Sequence, residues 1–320
     1  MVRTCQIIAV VIALLAIPAK ANAIELLFPV ACHLMTDCWI TDHVDLDQGL
    51  SRSEDYMCGD KASDNNKSTH ISLANRKAAS NIFPVMASAN GTVIKAQNVG
   101  GFCGEHVVIQ HDDHWETSYC HLKEASVKIR KGQTVARGDV IGEIGLSGLT
   151  EWPHLSFAVT RNGMVFDPFS GRSTLEGCHT KSQPLWEGGF NPPYEPAHVT
   201  DIGFTVGRVA ERDIALGNMP DIDRIDVKTP QLSVWAMLMN IKRNDQITMI
   251  LENPDEKVIN KIQISVEDDK NIFPIYFVTR RKDFLWPSGY YKGSVTITRD
   301  LNGSDITVGQ FVKVELVDSH

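Results

Sequence analysis

Three histidines stand in sequence contexts that could bring them together for chemistry. His70 lies in the segment S-T-H-I-S, His121 in S-Y-C-H-L and His154 in W-P-H-L-S-F. Imidazole is the commonest metal ligand, and it titrates near neutral pH. Three histidines gathered in one cleft would therefore bind zinc or transfer protons. A further option is nucleophilic chemistry by Ser156 with His154, because residues i and i+2 of a strand point to the same face.

Two of these histidines fall in a region of short β-type segments, which must position them. Between residues 83 and 169, apolar and β-branched runs are separated by glycines. Many short strands with turn residues between them are typical of an antiparallel sheet. Residues 24 to about 80 contain turn formers and little periodicity, so we expect a loop-rich N-terminal elaboration of this first domain, which we place at residues 24–180. The β-type runs are 91–94, 107–109, 127–129, 140–144 and 155–159.

The length and composition of the chain indicate two folded domains and exclude several partners. The chain has 320 residues, more than one ordinary core of about 100 to 200 residues would need. Hydrophobic residues at 43% and charged residues at 22% exclude a disordered chain, a collagen-like repeat and a coiled coil. The formal net charge of −8 provides no global basic field, so we expect no nucleic-acid partner.

The second half of the chain is predicted to be a separate accessory domain. Residues 181–199 are rich in proline and glycine and are predicted to be a linker. Strand candidates then recur at a spacing of roughly ten residues, which favours an immunoglobulin-like β-sandwich over residues 200–320. This half contains no cysteine and only His198 and His320, so we expect a binding or spacing module. The predicted fold class is all-β dominated, an antiparallel core domain followed by a β-sandwich.

The first residues predict export. Arg3, an apolar run over residues 7–17 and the A-x-A segment at 21–23 are typical of a signal peptide, which we place at residues 1–23. The apolar run is too short to cross a bilayer, which takes about 20 residues. We therefore expect no integral membrane segment after signal removal, and a periplasmic or extracellular location.

The cysteine count favours disulfides. Of the seven cysteines, Cys5 falls within the predicted signal and six remain. An even number of cysteines in an exported chain favours disulfide pairing. Cys103 and Cys120 are the predicted pair, because each lies at the end of a strand-like run and a short turn joins the two runs. The other pairings stay open.

A series of segments between residues 83 and 169 carries a resemblance to a known family. In order, they are 84–93, 107–111, 117–122, 127–135, 138–148, 153–155 and 165–168. Over this range the chain resembles the LytM/lysostaphin-type zinc metalloendopeptidases, which cut peptidoglycan cross-links. The resemblance implies a LytM-like, duplicated-hybrid-motif-like β fold for this domain. Residues 39–59 and the downstream sandwich also look like the secreted bacterial branch of that family.

The resemblance also implies roles for individual residues. In the family, zinc is held by the His and Asp of an H-x-G-x-D segment and by the second His of H-x-H. His70 matches the first ligand, but Ala74 and Ser156 stand at the positions of the other two. His121 matches the histidine of Y-x-H-L, and His154 the first His of H-x-H, the two positions that act on water and transition state. Because alanine has no lone pair and a serine hydroxyl is a poor neutral ligand, we expect no zinc cofactor.

Other side chains are predicted to line the groove or to offer an altered ligand set. Ser72 replaces the glycine of the first motif, and Ser72, Ser156 and Tyr119 are expected in the groove. A rearranged zinc site would need donors from nearby loops. The candidates for such donors are Asp60, Asp64, His106, His111 and His114.

The leading hypothesis is an exported, non-catalytic LytM-like protein. Degenerate members of the family act as regulators of cell-wall amidases, so the resemblance implies peptidoglycan or a cell-wall hydrolase as the partner. One alternative is an active zinc metalloendopeptidase with an altered ligand set. Another alternative is a structural or adhesion protein of the envelope, in which the sandwich is the main part.

Overall fold

The computed structural model describes residues 23–47, 49, 52–97, 101–181, 183–301 and 303–318. The predicted signal peptide, apart from Ala23, lies outside the described residues, as do Cys5 and His320. Within the described ranges, no helix is long and apolar enough to cross a membrane.

The described chain is built almost entirely from strands, which confirms the predicted all-β class. It also has one short α-helix, α1 (Glu211–Leu216), and short 3-10 helices at Lys77–Ser80, Asp112–His114 and Glu187–Gly189. The strands are β1 (Cys38–Asp42), β2 (Thr69–Leu73), β3 (Pro84–Met86), β4 (Gly91–Gln97), β5 (Glu105–Gln110), β6 (Trp115–Leu122), β7 (Thr134–Val135), β8 (Val140–Glu143), β9 (His154–Arg161), β10 (Met164–Phe166), β11 (His198–Val206), β12 (Arg224–Asp226), β13 (Gln231–Ile241), β14 (Gln246–Glu252), β15 (Val258–Ser265), β16 (Lys270–Arg280), β17 (Gly289–Leu301) and β18 (Ser304–Val317).

The first half forms one large antiparallel sheet. Its strands lie in the order β1-β2-β9-β6-β5-β4-β7, with β10 paired to β9, and β3 pairs with β8 in a separate two-stranded sheet. Burial along β6 alternates: Trp115, Thr117 and Tyr119 are buried and the residues between them are less so. Since successive side chains of a strand point to opposite faces, one face of β6 packs into the core. Tyr119 and Phe157 are fully buried there, with ring centroids 5.3 Å apart.

The N-terminal segment contributes more regular structure than its sequence predicts. Residues 24 to about 80 were expected to be loop-rich, yet β1 and β2 lie in this segment and form the edge of the large sheet. Both strands are mostly buried. Strand pairing and burial therefore override the weak local periodicity.

The second half consists of two sheets packed face to face. One has the order β11-β13-β16 and the other β12-β18-β17-β14-β15. Gly293 of β17 allows their close approach, because a Cβ at that position would lie 2.9 Å from Val234 Cγ1 of β13 and 3.2 Å from Phe204 Cζ of β11. The parallel pairing of β12 with β18 is an addition to the antiparallel pattern. The immunoglobulin-like assignment stays a prediction.

The segment between the two halves is only partly linker-like. Leu185 and Trp186 are buried in the core of the first half, and β11 already begins at His198. Apolar side chains in the predicted linker, residues 181–199, thus pack onto the first domain instead of remaining exposed.

A buried arginine joins the two halves. Arg299 of β17 is 5% exposed, and its Nη2 lies 2.7 Å from Asp245 Oδ2. Its Nη1 donates to Asp60 Oδ1 in the first half at 3.2 Å and to the Pro196 carbonyl at 3.0 Å. His198 Nε2 adds a 2.9 Å hydrogen bond to the Ile40 carbonyl of β1. The second half is therefore fixed beside the β1 edge of the large sheet.

Three disulfides cross-link the first half. The structure joins Cys103 to Cys120, the pair that the sequence favours. It resolves the open pairings as Cys32 with Cys38 and Cys58 with Cys178.

Candidate functional site

The sheet brings the three predicted histidines into one row. On the β2–β9 pair, His70 lies opposite Ser156, and His154 lies opposite Ser72. His121 follows on β6, the next strand of the sheet. The ring centroids of His70 and His154 are 4.7 Å apart, and those of His121 and His154 are 4.6 Å apart.

His154, in the middle of the row, carries a free lone pair. Its Nδ1 lies 2.8 Å from the Trp152 carbonyl, which can only accept, so Nδ1 carries the proton and donates it. Its Nε2 is buried and has no hydrogen-bond partner among the described residues. Burial, followed by the neighbouring His70, lowers the His154 pKa to about 3. At neutral pH the ring is therefore neutral, with Nε2 as a hydrogen-bond acceptor.

His121, at the end of β6, also donates its Nδ1 proton to a backbone carbonyl. Its Nδ1 donates to the Ser147 carbonyl at 2.9 Å, which leaves Nε2 with its lone pair. Burial lowers the His121 pKa. The backbone of His121 has φ 64° and is fixed by a 2.9 Å bond from its N–H to the Cys103 carbonyl. The disulfide that joins Cys103 to Cys120 thus supports the position of this histidine.

His70 lies between a serine and a carboxylate. Its Nε2 is 3.1 Å from Ser68 Oγ, and its Nδ1 is 3.7 Å from Asp42 Oδ2. Burial, then His121, lowers the His70 pKa to about 4. Burial raises the Asp42 pKa to about 6, although the Ser63 N–H, 2.9 Å from Oδ1, opposes this rise. At neutral pH this contact therefore pairs a neutral ring with a carboxylate.

The three positions where the family resemblance predicts zinc ligands do not supply a zinc donor set. Ala74 has no side-chain donor, and its carbonyl accepts a 3.1 Å bond from Thr200 Oγ1. Ser156 Oγ donates to Ser68 Oγ at 2.8 Å, and the same Ser68 oxygen faces His70 Nε2. A zinc site takes three or four directed protein ligands. Here one imidazole remains, and serine hydroxyls face it.

The sets of three mutually close metal-ligand side chains in the described part of the chain lie outside the histidine row. The two sets of three that come within 4.8 Å of one another are built around disulfides, whose sulfurs are not thiolates. Neither set includes a histidine of the row. The sets are Cys58, Cys178 and His179, and Cys32, Asp37 and Cys38.

Serine chemistry is not supported at Ser156. Its Oγ bonds to Ser68, whereas His154 Nε2 has no described partner. Ser68, His70 and Asp42 do follow the order hydroxyl, imidazole and carboxylate. However, Ser68 is 8% exposed and also contacts Asn66 Oδ1 at 3.1 Å, so a substrate carbonyl has little access to its oxygen.

The predicted groove residues differ in their placement. Ser72 lines the cleft, and its Oγ lies 2.6 Å from Thr41 Oγ1. Tyr119 was predicted in the groove, and this is wrong: it is fully buried, and its hydroxyl accepts a 2.8 Å bond from the Ser88 N–H. The two-residue period of β6 turns Tyr119 toward the core.

Of the loop donors considered for a rearranged site, Asp60 lines the cleft, whereas His111 does not. His111 Nδ1 bonds to the Asn90 carbonyl at 2.7 Å, and its Nε2 lies 2.8 Å from Thr117 Oγ1.

We name the cavity beside this row the histidine cleft. Its volume is about 240 Å³, and both halves of the chain line it. The first half supplies Asp42, His70 and His154, and the second half supplies Asn240, Lys242 and Ile272. Lys61 also lines it; burial lowers the Lys61 pKa to about 7, and Nζ donates to the Glu195 carbonyl at 2.7 Å.

Three residues of this site, Ser68, Asp42 and Lys242, were not predicted from the sequence. Ser68 stands two residues before His70, so the two-residue period of a strand could have placed it on the same face. Asp42 reaches the cleft through the pairing of β1 with β2, and Lys242 reaches it through the docking of the second half. Neither contact has a signal in the local sequence.

Comparison with known proteins finds a family match for part of the first half. Residues 70–168 match Peptidase family M23. Peptidoglycan DD-endopeptidase ShyA of Vibrio cholerae is 40% identical over 80 residues, 25% of this chain and 18% of that protein. The lipoprotein NlpD/LppB homolog of Pseudomonas aeruginosa is 35% identical over 85 residues, 27% of this chain and 28% of that protein.

Among solved structures, a zinc containing peptidase from Vibrio cholerae is similar over 40% of this chain and 39% of that chain, with 23% identity and a TM-score of 0.29. The chain spans less than a third of the length of the two curated relatives above. The match at residues 70–168 includes all three histidines of the row. The first half of this chain therefore contains a Peptidase family M23 region at residues 70–168.

Proposed function

We propose that this chain is an exported M23 protein that binds peptidoglycan peptides in the histidine cleft without zinc and without cleaving them. One observation carries the proposal: Ser156 Oγ and Ser68 Oγ are hydrogen-bonded to each other where the family resemblance predicts a metal ligand. Without a metal there is no Lewis acid to polarise a peptide carbonyl and no activated water.

The hydrogen-bonding groups of the cleft are suited to binding a peptide. His154 Nε2 is a buried acceptor without a hydrogen-bond partner among the described residues, and His154, Asp42, Asp60 and Glu151 line the same cleft. Buried polar atoms are normally hydrogen-bonded, so an N–H or O–H donor of a ligand would satisfy His154 Nε2. Peptide amides and amines supply such donors.

Incubation of the mature protein with purified sacculi tests this proposal. We expect the protein to co-sediment with sacculi and to release no peptide-containing fragments. His154→Gln should reduce co-sedimentation, and His114→Gln, at an exposed position, should not. Zinc-dependent release of fragments that is abolished by His70→Ala would overturn the proposal and identify an endopeptidase with an altered ligand set.

A second candidate function is regulation of a separate cell-wall hydrolase, and an exposed apolar rim favours it. Phe102 and Leu149 are 75% and 72% exposed, and the Leu149 N–H bonds to the Phe102 carbonyl at 2.9 Å. The Phe102 ring centroid lies 6.4 Å from that of His121. Large exposed apolar side chains grouped beside a cleft are a common feature of protein-binding surfaces.

Addition of the protein to a cell-wall amidase acting on sacculi tests this second candidate. The wild-type protein should increase the rate of amidase digestion, and Phe102→Ser/Leu149→Ser should lose the increase. An unchanged digestion rate with the wild-type protein would exclude regulation of that enzyme.

A further inference from the structure

We infer that the second half of the chain selects the ligand of the histidine cleft, with Lys242 binding a free carboxylate of the bound peptide. The inference rests on the proposed peptidoglycan-binding function. It assigns a binding role to a domain that the sequence marks only as an accessory module.

The two walls of the cleft differ in charge. The wall from the first half carries three carboxylates, those of Asp42, Asp60 and Glu151, against one lysine, Lys61, whose pKa burial lowers to about 7. The described residues that line the wall from the second half include Lys242 and no carboxylate. A ligand that fits both walls has a hydrogen-bond donor at one end and a carboxylate at the other, which a short peptide with a free C-terminus provides.

Lys242 is placed to face the other wall. It follows directly after β13, where its N–H donates to Asp245 Oδ2 at 2.8 Å. Its ammonium is near enough to Asp42 to favour the ionised form of that carboxyl. The one ion pair of its Nζ in the described residues is with Asp269 Oδ2 at 3.2 Å. Asp269 is 59% exposed in its side chain, and exposed pairs of this kind are weak. A ligand carboxylate can therefore compete for Lys242.

The wall is also rigid, so Lys242 does not depend on domain closure to reach the cleft. Asn240, two residues earlier, has φ 58°, and its side-chain amide donates to the Thr41 carbonyl of β1. Its own carbonyl accepts a bond from Arg299, the residue that joins the halves through Asp60. The turn that carries Lys242 is thus anchored to both halves.

Isothermal titration of the full mature protein with two synthetic peptides tests this inference. One is the tetrapeptide stem of peptidoglycan with a C-terminal carboxylate, and the other is the same peptide with a C-terminal carboxamide. A charge-assisted hydrogen bond is about twice as strong as a neutral one, so the wild-type protein should bind the carboxylate form about 10-fold more tightly. Lys242→Gln should bind both peptides equally weakly, and Lys242→Arg should retain the preference.

Arg243→Gln is the matched control, because Arg243 adjoins Lys242 but is exposed and paired with Asp268 at 2.9 Å. It should bind both peptides as the wild type does. A melting curve for each variant verifies folding. If Lys242→Gln keeps the preference for the carboxylate, the inference is wrong while the proposed function stands. If the wild-type protein binds neither peptide nor sacculi, both are wrong.

Discussion

Ser156 Oγ donates a 2.8 Å hydrogen bond to Ser68 Oγ, at the position where the family resemblance predicts a histidine ligand of zinc. The Ser68 oxygen also lies 3.1 Å from Nε2 of His70, the one imidazole left at the three predicted ligand positions. A hydroxyl-to-hydroxyl bond thus lies beside the nitrogen that would otherwise bind a metal. Burial lowers the pKa of all three histidines of the row, so their rings are neutral at neutral pH.

Loss of the Ser68 hydroxyl should destabilise the fold. In Ser68→Ala, Ser156 Oγ and His70 Nε2 both lose a partner, and an unsatisfied buried polar group costs about 1–3 kcal/mol. Urea denaturation should show a loss in this range. Ser304→Ala, at an exposed position of β18, should change stability by less than about 0.5 kcal/mol. Equal effects of the two substitutions would contradict the Ser156–Ser68 pairing.

Arg299 should contribute more to stability than any surface ion pair. Removing one partner of a buried pair leaves an uncompensated charge, at a cost of about 3–5 kcal/mol. Arg299→Ala removes the guanidinium partner of Asp245 and Asp60. It should therefore lower the midpoint of urea denaturation sharply. Arg243→Ala removes an exposed pair and should cost less than about 1 kcal/mol. A small effect of Arg299→Ala would show that the halves are held together by other contacts.

Asp167 should make stability fall as the pH rises. It is fully buried, Ser170 donates to its Oδ1, and burial raises its pKa to about 7 from 3.8. Between about pH 4 and pH 7 the folded state holds a proton that the unfolded state has lost, so stability decreases with increasing pH in this window. The maximum slope is about 1.4 kcal/mol per pH unit.

Asn does not titrate in this pH range, so a comparison with Asp167→Asn isolates the contribution of the Asp167 proton to stability. The stability of the wild type relative to Asp167→Asn should decrease from pH 4 to pH 7, as measured by urea denaturation at several pH values. A difference that stays constant over this range would mean that Asp167 titrates alike in both states.

The disulfide beside His121 should stabilise the fold through the short loop that it closes. Cys103 and Cys120 are 17 residues apart, and closing a loop of this size stabilises by about 3 kcal/mol. Cys103→Ala/Cys120→Ala should accordingly lower the melting temperature measured by calorimetry. It should also weaken sacculus binding, because Cys103 supports His121. A double variant that melts like the wild type would contradict a formed disulfide.

The sequence predicted those parts of the site that depend on local pattern. His154 and Ser156 fall on one strand, so their common face follows from the two-residue period. The strand-like runs around Cys103 and Cys120 likewise favoured the observed disulfide. Tyr119 was misplaced because the same period, applied to β6, assigns it to the core.

The remaining parts depend on contacts between distant segments. Asp42 faces His70 because β1 pairs with β2 with an irregular register after Ile40. Lys242 reaches the cleft because Arg299 and His198 fix the second half beside β1. No local pattern encodes either contact.

The zinc content of the wild-type protein, measured beside Ala74→Asp/Ser156→His after zinc saturation and dialysis, tests whether the histidine cleft lacks a zinc site. We expect the wild-type protein to retain no stoichiometric zinc, and the double variant, with an Asp and a His placed beside His70, to retain one ion per chain. One zinc ion bound per wild-type chain, and lost in His70→Ala, would contradict this expectation.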